Sequence, residues 1–146
     1  MALWEQIRQA AVTKAETDVA ALRISAMGRR QSRPVVPPAV FFGIPSGSMD
    51  SRPGGATERY TLTFPGSLAI AAPGGEQRAD TEAADLMYEL LVAWRSGIQL
   101  GLGSSGVVGS WVSSWTPTYD DNDYLDGYDF TLTVEVLETL NPTRTV

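Results

Sequence analysis

Residues 128–136, Tyr128-Asp129-Phe130-Thr131-Leu132-Thr133-Val134-Glu135-Val136, alternate without a break. Tyr128, Phe130, Leu132, Val134 and Val136 fall on one face, and Asp129, Thr131, Thr133 and Glu135 on the other. Strand side chains repeat every two residues, so this pattern describes a strand with one buried and one wetted face. Slipping the pairing by one residue would turn every apolar side chain to water, so the pattern also specifies register.

Upstream, residues 107–115 read as a second strand, with Val107, Trp111 and Trp115 on one face and Val108 and Val112 on the other, closed by Pro117. The acidic link between the two, with Asp120, Asp121, Asp123 and Asp126, implies an antiparallel hairpin. Farther back, Tyr60, Leu62 and Phe64 alternate with Thr61 and Thr63. Pro65-Gly66 is expected to interrupt this strand, with residues 68–72 as a continuation. Residues 39–44, Ala-Val-Phe-Phe-Gly-Ile, follow prolines and fit a short strand buried on both faces.

Two helices complete the pattern. Over 81–96, Ala83, Leu86, Met87, Leu90, Leu91 and Trp94 recur at three- and four-residue spacings, with Asp80 or Thr81 as cap and Gly97 as stop. Asp80, Glu82 and Asp85 beside its first turn are accounted for by the helix dipole. Residues 2–26 carry two apolar stripes, Trp4, Ile7 and Ala11 on one and Val12, Ala15, Val19 and Leu22 on the other, which predicts a kink or two contact surfaces. Between these elements, residues 29–38 are rich in Arg and Pro and should be extended, and residues 45–58 are expected to form a mobile loop. The fold class is therefore α+β: one domain over 1–146, a mixed or antiparallel sheet of about four strands flanked by an N-terminal and a central helix. Leu90 and Phe130, each central to its apolar face, should share one core.

Composition narrows the chemistry. With 146 residues, 43% hydrophobic and 19% charged, the chain suits one folded domain. It contains neither Cys nor His, so disulfides, thiolate nucleophiles, His-based triads and His or Cys metal sites are excluded. No basic-then-apolar leader and no membrane-length apolar run is present, so we expect neither a cleaved signal nor a membrane span. Charge is uneven: residues 1–79 carry 9 Lys/Arg against 6 Asp/Glu, and residues 80–146 carry 2 against 11, or +3 and −9. A net charge of −6 disfavours wrapping DNA, but the asymmetry could join copies head to tail.

Each motif that hints at a site has a simpler explanation. Gly101-Leu102-Gly103-Ser104-Ser105-Gly106 has dinucleotide-binding spacing, but that motif follows a strand and opens a helix, whereas here a helix precedes and a strand follows. Asp120, Asp121, Asp123 and Asp126 offer oxygens to a hard cation, yet no frame gives the calcium-loop spacing, so a solvated or partner-facing turn is expected. The same carboxylates would need a cleft to act as an acid and base pair. Arg29, Arg30 and Arg33 lack interleaved aromatics for stacking bases and read as a solvated or partner-facing tract. Core packing is the default for Trp4, Trp94, Trp111 and Trp115, with one or two buried only on assembly. No cofactor, no metal and no enzymatic activity are expected.

The order of Pro-rich tract, Ala39-Val40-Phe41-Phe42, strand 60–64, helix 81–96 and the hairpin ending at 128–136 resembles the tail terminator proteins of long-tailed bacteriophages, over nearly the whole chain. That resemblance implies a virion protein: a hexameric ring at the head-proximal end of the tail tube that ends tube polymerisation and docks the head connector. Its partners would be other copies of itself, the major tail tube protein and a head closure protein, with genomic DNA passing through unread. A head closure or head–tail adaptor protein is the alternative within the same connector, and an acidic calcium- or protein-binding module the alternative outside it. Candidate interface residues are Arg29, Arg30, Arg33, Arg52, Arg59, Asp120, Asp121, Asp123 and Asp126, with Arg52 and Arg59 reaching toward the acidic half of a neighbour.

Overall fold

The computed structural model describes residues 3–19, 39–49, 58–70, 76–96, 100–119 and 125–138. Helix α1 (Leu3–Asp18) is followed by strands β1 (Ala39–Phe42), β2 (Ser46–Met49) and β3 (Glu58–Ala69), helix α2 (Glu76–Ser96), and strands β4 (Val107–Tyr119) and β5 (Leu125–Glu138). All pairings are antiparallel, in the order β1-β3-β5-β4, and β2 joins β3 on the same edge as β1. The architecture is α+β in a single small domain.

Strand β5 behaves as its alternation requires. Phe130, Leu132, Val134 and Val136 are buried, and they stand opposite Gly66, Phe64, Leu62 and Tyr60 of β3. Helix α2 covers this apolar face by packing on β4 and β5, and α1 packs on α2. The opposite face, with Thr61, Thr63, Ser67, Asp129, Thr131 and Glu135, has no helix on it among the described residues and is polar, as an open antiparallel sheet should be. Leu90 and Phe130 do share one core. At its centre Phe42, Phe64, Trp94 and Phe130 form an aromatic cluster, with centroids 5.2 Å apart for Trp94 and Phe130 and 5.9 Å for Phe42 and Phe130. The Trp94 indole N–H donates to the Ala11 carbonyl at 2.9 Å, and Ser110 Oγ donates to the Trp94 carbonyl at 3.2 Å. One residue thereby ties α1, α2 and β4 together.

Several expectations need correction. The two stripes of α1 are margins of one face: Ile7, Ala11, Val12, Ala15 and Val19 all enter the same core, with no second contact surface for them. The helix ends at Asp18, and residues 20–28 lie outside the described set. Helix α2 begins at Glu76, so neither Asp80 nor Thr81 caps it. The sheet has a fifth strand, because Ser46–Met49, expected in the loop, pairs with residues 60–63. Nor does Pro65-Gly66 interrupt β3. Pro65 O accepts from Gly43 N at 2.7 Å, so the proline nitrogen faces the same edge, in the gap where β1 has ended and β2 has not begun. Gly43, opposite, is exposed, so its carbonyl is open to solvent where the proline has no N–H to give. Gly66 is required by packing: a Cβ would lie 2.4 Å from the Phe130 ring.

Candidate assembly surface

In the sheet order, β1, β2 and β3 come from the first half of the chain, and β5 and β4 from the second. Among the described residues charge does not follow this division: Arg8, Lys14 and Arg59 stand against Glu5, Glu16, Asp18 and Glu58 in the first half, and β1, β2 and β4 carry no charged side chain.

Strand β4 forms one edge. Its pairing with β5 shifts register between Val107 and Gly109 and again between Val112 and Ser114, so Val108 and Ser113 are extra residues. Each bulge resets the alternation, so Val107 and Trp115 stand opposite the core residues Val136 and Phe130 whereas Trp111 stands opposite Thr133; the expectation of one face carrying all three fails at Trp111. Val107 is buried, whereas Trp111 and Trp115 are 41% and 50% exposed. Beside them α2 presents Tyr88, 66% exposed, and Val92 one turn later. Tyr88, Leu91, Val92, Arg95, Trp111 and Trp115 are among the residues that line an open groove of about 650 Å³ between helix and strand. Apolar patches rimmed by charge mark interaction surfaces on soluble proteins, and Trp and Tyr dominate interface centres.

The other edge is made by β1 and β2, laid end to end along β3. Ile44, in the link between them, is 79% exposed, and Met49 and Trp4 are also exposed. Trp4, Gly47, Met49, Tyr60 and Glu138 are among the residues bordering a second open groove of about 390 Å³. Inside it Trp4 Nε1 donates to Tyr60 Oη at 3.0 Å, and Tyr60 Oη donates to Glu138 Oε1 at 3.0 Å. Burial pushes the Tyr60 phenol up to about 12, against the Trp4 hydrogen bond and with the help of Glu138.

Of the predicted interface residues, Arg59 is described, and it pairs with Glu135 of its own chain at 3.6 Å. Both are substantially solvated, so the pair is weak, but the side chain has an intramolecular partner. Arg29, Arg30, Arg33, Arg52, Asp120, Asp121 and Asp123 lie outside the described residues, and Asp126 is the second residue of β5. Described sheet carboxylates have local partners: Asp129 accepts from Ser67 at 3.0 Å, Glu135 faces Arg59 and Glu138 accepts from Tyr60. Among the described residues no three acidic side chains converge as cation ligands do, and no helix is long and apolar enough to cross a membrane. The glycine-rich stretch forms a 3-10 turn (Gly103–Ser105) leading into β4, the reverse of a dinucleotide-binding order.

Of the four Trp residues, Trp94 packs in the core, whereas Trp4, Trp111 and Trp115 are exposed against the default of core packing; sequence reasoning missed that they lie with Ile44, Met49, Tyr88 and Val92 along the two edges. Tyr88 and Val92 carried a signal, since they widen the apolar arc of α2 beyond what one core contact uses. Ile44 and Met49 carried none, because their exposure follows from β2 taking the sheet edge. Neither the family models nor the curated proteins contain a match to this chain.

Proposed function

We propose that the chain is a structural subunit that works by assembling with copies of itself, as a phage tail terminator does. The ring would sit at the head-proximal end of the tail tube, end tube polymerisation, dock the head connector and let DNA pass. The observation that carries the reading is the concentration of exposed aromatic and aliphatic side chains on the two edges of the sheet, at β4 with α2 and at β1 with β2. Open sheet edges bearing apolar residues are an aggregation hazard unless they have a designated partner. The absence of both Cys and His is consistent with a structural role.

Native mass spectrometry of the purified chain tests this. A hexamer is expected. A dodecamer would move the assignment to the adjoining adaptor, and a monomer at every concentration would overturn it.

A further inference from the structure

We infer that copies join edge to edge in one direction, the β1–β2 edge of one subunit seating Ile44 and Met49 in the α2–β4 groove of the next. The inference rests on the assembly reading above and names the contact that would make it.

Two observations support this occupant. First, the two apolar patches are different surfaces on opposite edges. A twofold contact matches a surface with itself and would leave the other edge of each copy exposed. A head-to-tail contact covers both at once, and such contacts generate rings when the rotation closes. Secondly, strand direction permits it. β4, β5 and β3 alternate, and β1 and β2 oppose β3, so the two edges run in opposite senses. A neighbour placed alongside without inversion continues the antiparallel order.

Two bulges and Pro117 blunt β4 against an indiscriminate backbone ladder. Side chains therefore carry the contact. Ile44 is the most exposed large apolar residue described, and the groove lined by Tyr88, Trp111 and Trp115 is an apolar receptacle with Arg95 at its rim.

The test uses full-length Ile44→Asp and Trp115→Asp, alone and mixed in equal amounts, followed by native mass spectrometry and sedimentation velocity. Both sites are exposed in the subunit, so each variant should keep a native far-UV spectrum and a cooperative unfolding transition; Met49→Asp and Tyr88→Glu repeat the experiment with independent substitutions. Each variant alone should be monomeric. Their mixture should give a one-to-one dimer and nothing larger, because one contributes an intact groove and the other an intact β1–β2 edge. Dimers of Ile44→Asp alone would establish a twofold contact through β4 and overturn the inference, as would wild-type rings from either variant or a mixture that stays monomeric. A wild-type chain that is itself monomeric would sink the assembly reading, whereas wild-type rings indifferent to these substitutions would sink only the contact named here.

Discussion

Tyr60 is the residue whose ionisation the structure perturbs most clearly. Its hydroxyl accepts from Trp4 and donates to Glu138, at the floor of the groove beside β2. Deprotonation would put an anion against the Glu138 carboxylate in a poorly solvated position, so its value rises from 10.0 to about 12. The folded chain thus holds this proton more tightly than the unfolded chain. The stability it contributes is complete below about pH 10 and lost as pH rises through about 12. Tyrosinate absorbance of the native protein should show one late-titrating phenol that disappears in Tyr60→Phe. The wild type should also lose stability between those pH values more steeply than the variant. Coincident titration curves for the two proteins would show that the groove floor is wetter than the geometry indicates.

At the scale of elements, what was legible and what was not divides along a physical line. Alternation in residues 128–136 identified β5 and its faces because one face is buried and no bulge interrupts it. The stripe through Leu86, Leu90 and Trp94 identified most of α2 for the equivalent reason. β4 defeated the same method, since two extra residues reset its phase and bulges leave no simple mark in composition. β2 was hidden by its own residues, Ser46-Gly47-Ser48-Met49, which are all exposed and become a strand only because β3 offers them a free edge. Pro65-Gly66 misled in the opposite sense: the proline faces a gap in the neighbouring strands and the glycine admits the Phe130 ring. Gly66→Ala should therefore destabilise the chain by about 1–3 kcal/mol through overpacking. Phe130→Leu should recover part of that loss in the double variant, because two residues in contact do not act additively. Chemical denaturation of the four proteins in this cycle gives the answer, and strict additivity would mean that the aromatic ring is not what excludes a side chain at 66.

For the whole molecule the decisive quantity is charge distribution, because a head-to-tail assembly of acidic subunits must overcome its own repulsion. Each copy carries −6 overall, and the strands at the two edges, β1, β2 and β4, carry no charged side chain to offset it. Ionic strength separates these effects by distance. At about 0.01 M the screening length is about 30 Å, comparable with the molecule, and net repulsion opposes encounter. At about 0.1 M it shrinks to about 10 Å, which suppresses most of the repulsion between whole subunits. At about 1 M it is about 3 Å, and only burial of Ile44, Met49, Trp111 and Trp115 remains to hold the edges. Electrostatics acts mainly on the rate of association, and apolar contacts on dissociation. The rate of ring formation from dissociated subunits, followed by light scattering, should therefore rise with ionic strength, steeply to about 0.1 M and less beyond it, with the dissociation rate nearly flat across the series. A rate that falls as salt is added would mean that attraction between oppositely charged surfaces, and not apolar contact made against net repulsion, brings the edges together.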